Sequence, residues 1–271
     1  MADFYDSAYA PMPIVGEFQD LWRYRSLLTL LVVNSLKTRY KRSFFGLAWT
    51  LFNPLIQMAV LAIAFSSIFR GALIRYPVYV LAGLICWNFF VQATTHSMNT
   101  LVWGSGLLKR IYMPRTIFVF VAVGNGLINL CLAMVPLLLI MLAMGHPLYA
   151  AWWFVPVAVF LLALFASGVA LLVSILAVFF GDTVDIYQAL VQALFFITPV
   201  MYPKDILPQR YAWFLELNPV HRLLELFRSP IYLGRLPDDA AILTAAAWAF
   251  GAFLLGWWAF TRKVDELAYR I

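Results

Sequence analysis

Stretches without Asp, Glu, Lys or Arg follow one another along most of this 271-residue chain. A helix needs about 20 apolar residues to cross a hydrocarbon core of about 30 Å. By that measure the uncharged stretches predict six spans, at about residues 47–69, 78–102, 116–144, 152–180, 184–201 and 240–261. The longest stretch is divided between two spans because Gly145, His146 and Pro147 interrupt it. The pattern therefore predicts an all-α membrane protein with six transmembrane helices.

A proline-rich stretch follows the fifth predicted span. Pro199, Pro203 and Pro208 each lack a backbone N–H and restrict the preceding residue, so helices end there. Beyond Pro219 an apolar face and an opposite polar face recur at helical spacing, formed by Val220, Leu223, Leu224 and Phe227 and by His221, Arg222, Glu225 and Arg228. Two short amphipathic helices at about residues 204–230 would re-enter the membrane beside a cavity. Alternatively, this segment is a surface loop whose helix rests on lipid.

The N-terminal region differs from the spans. Residues 1–42 predict a cytoplasmic tail and an amphipathic interface helix, because the apolar segment 27–33 is too short to cross the membrane. Basic residues follow that segment at Lys37, Arg39, Lys41 and Arg42, and anionic lipid attracts such a helix end. Residues 43–271 then form the transmembrane domain.

Composition and charge agree with a membrane protein. Hydrophobic residues make up 64% of the chain and charged residues 12%, whereas a soluble domain has about 25% charged residues. The net charge of +6 therefore informs orientation and does not indicate nucleic-acid binding. Six spans place both termini on one side, and that side carries 12 of the 19 Lys and Arg residues. The positive-inside tendency then predicts cytoplasmic termini.

Polar residues inside the predicted spans are uncharged. They are Asn53, Gln57, Asn88, Gln92, His96, Asn125, Asn129, Gln188 and Gln192. Carriers driven by protons or sodium usually keep an ionisable group in the membrane, and only His96 qualifies here. Small residues around Gly168 favour close helix contact. Four aromatic residues around the start of the first span suit a membrane interface, namely Tyr40, Phe44, Phe45 and Trp49.

Motifs for phosphate binding, zinc binding and nucleophilic catalysis are absent from the sequence. It has no G-x-x-x-x-G-K-[ST] loop, no zinc-ligand spacing and no G-x-S-x-G, so we expect no ATP bound in that manner. Asp182 and Asp185 could bind a cation, but an aspartate at a helix start is an ordinary cap. The basic loop containing Tyr112 and Met113 either satisfies the positive-inside tendency or docks a soluble partner.

The order of these features resembles the permease subunits of ABC exporters for polysaccharides and polyol phosphates, which include O-antigen, capsule and teichoic-acid permeases. The likeness covers about residues 18–270 and is carried by residues 39–43, Gly46, Trp49, Asn53, Pro54, 109–115, 198–202, 217–219 and Arg228. The resemblance implies a homodimer in the bacterial cytoplasmic membrane that binds two copies of a separate ATPase subunit. It implies no cofactor on this chain, with ATP and magnesium on the partner, and no nucleic-acid partner.

The resemblance also implies roles for particular residues. A channel through the dimer would be lined by the first and fifth spans, at Tyr40, Phe44, Phe45, Trp49, Asn53, Gln57, Gln188 and Gln192. Coupling to the ATPase would involve Arg39, Lys41, Arg42, Lys109, Arg110, Tyr112, Met113, Pro114 and Arg115. The outer gate would contain Pro199, Tyr202, Pro203, Asn218, Pro219, Arg222 and Arg228.

Three functions are open at this point. The first is a channel-forming subunit, not an enzyme, of an ATP-driven exporter that moves a lipid-linked polysaccharide outward. The second is an ABC permease for a small hydrophobic drug or lipid. The third is an ATP-independent channel, carrier or membrane enzyme. Aromatic rings favour the first, because they contact the apolar faces of a sugar without the deep binding that would stall its movement.

Overall fold

The computed structural model describes residues 13–40, 46, 48–69, 75–103, 114–206, 208, 210 and 212–270. Helices account for most of these residues, and no strand occurs among them. In chain order the α-helices are α1 Pro13–Arg23, α2 Arg25–Tyr40, α3 Ala48–Phe69, α4 Tyr76–Trp103, α5 Thr116–Ala143, α6 Val155–Phe179, α7 Thr183–Ile197, α8 Ala212–Leu217, α9 Pro219–Arg228 and α10 Asp239–Arg270. The all-α prediction is confirmed.

Among the described residues, five helices are long and apolar enough to cross a membrane: α3, α4, α5, α6 and α10. The fifth predicted span corresponds to α7, which has only 15 residues. A helix of that length reaches about 22 Å, less than the hydrocarbon thickness. It ends at Ile197 because Pro199 keeps Thr198 extended, with a ψ of 128°. A multi-pass membrane protein is confirmed, while the sixth crossing stays a prediction.

Helix α4 lies at the centre of the bundle and packs against α3, α5, α6 and α9. Helices α6 and α10 approach each other closely through two glycines. A Cβ atom on Gly256 would overlap the Gly168 carbonyl oxygen, and a Cβ atom on Gly168 would overlap the backbone of Ala252. Only glycine permits this separation, so the small residues of the fourth predicted span do serve close helix contact.

The N-terminal region forms two helices where the sequence predicts one, and a position at the membrane interface stays a prediction. A turn at Tyr24 separates α1 from α2, and the amphipathic pattern belongs to α1. Helix α2 lies against α5, where Val32 covers Gly124 and the Ser35 hydroxyl donates to Asn125 Oδ1 at 2.8 Å. The apolar residues of α2 therefore contact protein on one side, which a pattern of charges along the chain does not reveal.

Short helices fill the segment between α7 and α10. A 3-10 turn at Lys204–Ile206 precedes α8 and α9, and a π-helical turn at Ser229–Leu233 follows them. The apolar face of α9 is buried in the protein, at Val220, Leu223, Leu224 and Phe227. His221 and Arg228 are also buried, with only 7% and 2% of their surfaces exposed. The amphipathic pattern gives no indication that these two polar residues are buried, and for Arg228 residues of α4 and of the segment after α7 cover that side.

Candidate translocation and gate sites

The two helices predicted to line a channel carry uncharged polar side chains on exposed faces. On α3, Trp49, Asn53 and Gln57 lie four residues apart, and all three are exposed. On α7, Gln188 and Gln192 are likewise exposed and four residues apart. We call these two rows the α3 stripe and the α7 stripe. The remaining predicted lining residues are outside the described part of the chain, Phe44 and Phe45 entirely and Tyr40 in its side chain.

The C-terminal end of α9 holds a buried arginine. Arg228 donates from Nη1 to the Pro199 carbonyl and from Nη2 to the Val200 carbonyl, both at 2.9 Å. Glu225, one turn earlier on α9, accepts from Nη1 at 3.3 Å. The guanidinium carbon lies 3.9 Å from the centroid of the Tyr79 ring. These contacts join α9 to α4 and to the segment after α7.

A buried cation is tolerated only when its partners replace water. Two carbonyls, one carboxylate and an aromatic face supply those partners to Arg228. Gly83 of α4 makes the approach possible, since a Cβ atom there would overlap Arg228 Nη2. We call these residues the Arg228 cluster: Tyr79, Gly83, Pro199, Val200, Glu225 and Arg228.

A second set of hydrogen bonds ties the same segment to the start of α9. Asn218 caps the helix, because its Oδ1 accepts from the backbone N–H groups of Val220 at 3.0 Å and His221 at 3.3 Å. Its Nδ2 donates to Thr198 Oγ1 at 2.9 Å. Pro219 occupies the first turn, where a missing N–H leaves no helical bond unmade. One amide thus positions both α9 and the end of α7.

Tyr202 closes the C-terminal end of α7. Its hydroxyl lies 2.9 Å from the carbonyl oxygens of both Phe196 and Ile197. Carbonyls in the last turn of a helix have no partner further along the chain, so a hydroxyl there satisfies them. Pro203, the next predicted gate residue, is buried.

Two tyrosines of α4 complete this region, and sequence reasoning missed both. The Tyr76 hydroxyl donates to the Met201 carbonyl at 2.8 Å, and the Tyr79 hydroxyl donates to the Tyr202 carbonyl at 3.0 Å. A tyrosine near the start of an apolar span is typical of a membrane interface. That ordinary interpretation gave no reason to expect contacts more than 100 residues away.

His221 is a further buried group that the predicted gate did not include. Burial lowers the pKa of its imidazole to about 4, an effect that nearby Glu225 opposes and that Arg228, Arg222 and Lys204 increase. Its Nδ1 atom has no hydrogen-bond partner among the described residues. Arg222 is only half-buried and donates from Nε to the Glu216 carbonyl of α8 at 3.4 Å.

The structure brings most of the predicted gate residues together around the end of α7. Those brought together are Pro199, Tyr202, Asn218, Pro219 and Arg228, whereas Arg222 points to α8 instead. The arrangement holds three short elements against α4 by hydrogen bonds to backbone carbonyls. A gate role for these residues stays a prediction.

Most predicted coupling residues lie outside the described residues: Lys41, Arg42, Lys109, Arg110, Tyr112 and Met113, together with the side chain of Arg39. Pro114 is buried and Arg115 half-buried immediately before α5. The next residue, Thr116, donates from Oγ1 to Glu17 Oε2 of α1 at 2.9 Å. This bond joins the end of the basic loop to the N-terminal helices, which are the two elements predicted to contact an ATPase.

The cap predicted at the start of α7 is not formed by Asp182. Asp182 precedes the helix, but its side chain makes no capping hydrogen bond. Asp185 lies in the first turn, where the helix dipole favours a carboxylate. Within the described part of the chain, no group of three or more His, Cys, Asp or Glu residues could hold a metal ion.

Comparison with known proteins identifies the family. The model of the ABC-2 type transporter family matches residues 26–232, which include both stripes and the Arg228 cluster. The O-antigen export system permease protein RfbA of Myxococcus xanthus is 30% identical over 233 residues, covering 84% of this chain and 89% of that protein. An RfbA permease of Klebsiella pneumoniae is 26% identical over 80% of this chain and 88% of its own length. The polysialic acid transport protein KpsM of Escherichia coli is 21% identical over 83% and 89% of the two chains. The resemblance to polysaccharide-export permeases is thus confirmed, and the chain belongs to the ABC-2 type transporter family.

Proposed function

We propose that this chain is the channel-forming membrane subunit of an ATP-driven exporter in a bacterial cytoplasmic membrane. Two copies enclose a passage, and two copies of a separate ATPase subunit drive it. A lipid-linked polysaccharide moves from the cytoplasmic side to the outer side. Both termini lie in the cytoplasm, ATP and magnesium bind to the ATPase subunits, and this chain itself performs no catalysis.

The observation that carries this proposal is the extent of the match to permeases named for glycan export. Relatives named for O-antigen export and for polysialic acid transport align over 84% and 83% of this chain, and over 89% of their own lengths. The similarity therefore concerns nearly the whole of each protein. A relationship confined to one helix pair would not support a shared transport function.

The exposed stripes support a passage between two copies. Helix α3 leaves large apolar residues uncovered beside its polar row, among them Phe52, Ile56 and Val60. Lipid tolerates such residues, but amides such as Asn53 and Gln192 need hydrogen-bond partners that hydrocarbon cannot supply. A second copy and the hydroxyl groups of a passing glycan would supply those partners.

The genetic test removes the gene from the source organism and restores it on a plasmid. We expect loss of the exported glycan from the cell surface, measured by periodate oxidation and biotin hydrazide labelling of intact cells. Lipid-linked glycan should accumulate inside the same cells, and the wild-type plasmid should reverse both effects. Unchanged surface glycan after deletion would contradict the proposal.

A second candidate is an ABC permease for a small hydrophobic drug or lipid. An apolar groove of about 450 Å³ lies among α4, α6, α7, α8 and α9, with Phe90, Phe165 and Trp213 in its lining. Such a lining suits a hydrophobic molecule. In the deletion strain, slower ethidium efflux together with normal surface glycan would favour this candidate over glycan export.

A further inference from the structure

Two adjoining cavities, both partly open at the protein surface, lie within a single copy of the chain between α2, α3, α4 and α5. The smaller has a volume of about 350 Å³ and the larger about 780 Å³, and Val91 and Gln92 of α4 line both. The smaller cavity is bounded by Asn53 of α3 and Asn129 of α5. The larger extends along α2 toward the end of α4 that is predicted to be cytoplasmic, past Asn99. Together they connect that side with the middle of the bundle.

One face of α4 contributes polar groups to both cavities. Its residues Asn88, Gln92, Thr95 and Asn99 are spaced by four, three and four positions, so they follow one side of the helix, and His96 lies beside them. Neither cavity has a Lys, Arg, Asp or Glu residue among the described residues that line it. We call the two cavities with this row the polar track.

Hydrogen bonds between helices use only some of the donor and acceptor atoms of these amides. Asn88 Nδ2 donates to Gln57 Oε1 at 3.0 Å, and Asn129 Nδ2 donates to Gln92 Oε1 at 2.7 Å. Such bonds are typical of polar residues that hold membrane helices together. If that were their whole purpose, we would expect the buried members to be satisfied.

Asn129 departs from that expectation. Only 8% of its surface is exposed, and its Oδ1 atom is buried with no hydrogen-bond partner among the described residues. A buried amide oxygen without a partner costs free energy, and the cost is larger where hydrocarbon excludes water. Asn129 lines the smaller cavity, so an occupant that carries a hydroxyl group would remove this cost by donating to Oδ1 once the amide turns toward it.

We infer that the polar track binds an uncharged, hydroxyl-rich sugar segment of the exported molecule within a single copy of the chain. The inference rests on the proposed function and adds a binding site to it. Sugar hydroxyls both donate and accept hydrogen bonds, as side-chain amides do. A phosphate or carboxylate group would lose its hydration here without gaining a counter-charge, so the track selects a neutral segment.

The size and position of the track agree with this occupant. A volume of about 350 Å³ is within the range of ordinary ligand pockets, roughly 300–1,000 Å³. Trp49 and Asn53 belong both to the smaller cavity and to the α3 stripe. A segment that enters from the larger cavity therefore reaches the proposed passage between two copies along a row of amide side chains.

A photo-crosslinking experiment tests the site in cells that contain the permease and its ATPase subunit. The variants carry p-benzoylphenylalanine in place of Gln92 or Asn99 in the track, of Gln192 on the α7 stripe, or of Leu139. Leu139 is 60% exposed on α5 and does not line the track, so it reports capture from surrounding lipid. After irradiation the purified permease is oxidised with periodate, and captured glycan is detected with biotin hydrazide.

We expect glycan on the variants at 92, 99 and 192, none on the variant at 139, and none at any position in a strain that cannot start synthesis of the glycan. Capture at 192 without capture at 92 or 99 would overturn the polar track and leave the proposed function standing. Equal capture at positions 139 and 92 would also overturn the polar track, because it would show that the crosslinker captures glycan from the surrounding lipid headgroups. Capture at no position would overturn the proposed function itself.

A second measurement applies even where a bulky substitution prevents assembly. In the purified complex, Asn129→Leu should raise the concentration of lipid-linked glycan that half-saturates ATPase stimulation about fivefold, the effect of one neutral hydrogen bond. The maximal rate should stay within about twofold, and Leu139→Ala should change neither quantity. A lower maximal rate with unchanged half-saturation would show a purely structural role for Asn129 and overturn the inference.

Discussion

The guanidinium carbon of Arg228 lies 3.9 Å from the centroid of the Tyr79 ring, which joins the short helix α9 to the central helix α4. Hydrogen bonds from the same guanidinium to the Pro199 and Val200 carbonyls extend the contact to the segment after α7. Three elements therefore meet at one buried charge. Moving any of them apart leaves the arginine or its acceptors without partners, so we expect them to move as a unit.

Gly83→Ala should disturb this unit more than any other single methyl group. The added Cβ would overlap Arg228 Nη2 and lie 2.8 Å from the Val200 carbonyl oxygen. Overpacking of this kind costs about 1–3 kcal/mol in the free energy of unfolding. Thermal unfolding of the purified protein measures the effect, with Gly251→Ala as a matched control because no atom lies within 4 Å of its added Cβ. Equal melting temperatures for the two variants would contradict the packing described for Gly83.

Arg228→Lys should not preserve the function of Arg228. Lysine keeps the charge but lacks the planar fork that reaches both carbonyl oxygens at once. Arg228→Met should lower the free energy of unfolding by about 1–3 kcal/mol for each buried carbonyl that it leaves unpaired. Surface glycan and melting temperature provide the readouts, and Arg222→Lys is the control at a half-buried position. Normal export with Arg228→Lys would show that charge alone suffices.

The contrast between the spans and α9 shows what the sequence could reveal. An uncharged run of about 20 residues has few alternatives to a membrane helix, so α4 and α5 were predictable from charge spacing. The amphipathic pattern places Arg228 on the polar face of α9 and does not indicate that this residue is buried. Its acceptors at Pro199 and Val200 lie 29 and 28 positions earlier, and no local sequence pattern predicts such a partner.

The pH dependence of stability should report the burial of His221. Its pKa in the folded protein is about 4, below the ordinary value of 6.5, so the folded state favours neutral imidazole. Between pH 6.5 and 4 the unfolded chain binds the proton more readily, and stability therefore falls as the pH decreases through this range and is complete above it. His221→Gln should flatten the decline of melting temperature between pH 6.5 and 4.5. An unchanged slope in that variant would contradict the burial of the imidazole.

Changing Met113 and Arg115 together to alanine should separate ATP hydrolysis from export. The basic loop ends where Thr116 is bonded to Glu17 of α1, so its contact with a partner would reach the N-terminal helices and α5 together. We expect the amount of folded complex to be unchanged, while glycan-stimulated ATPase activity and surface glycan both fall at least fivefold. Leu148→Ala, at an exposed position on the loop after α5, serves as the control. Normal export by the double variant would exclude a coupling role.

The polar row of α4 illustrates a different limit of sequence reasoning. Amides inside the spans are visible in the sequence, and their spacing places them on one face. The sequence does not show which helices face that row, because helix packing depends on side chains distant along the chain, such as Gly168 and Gly256. It therefore could not distinguish amides that join two helices from an amide, such as Asn129, whose oxygen lacks a partner among the described residues.

The most direct test of the export function follows the movement of lipid-linked glycan in proteoliposomes. These contain this chain and its ATPase subunit, with the ATPase facing outward. Glycan in the outer leaflet is open to periodate added to the medium, whereas glycan moved to the lumen is protected. We expect the protected fraction to rise with time when ATP is added and to stay constant with ADP. Equal protection with ATP and with ADP would contradict the export function.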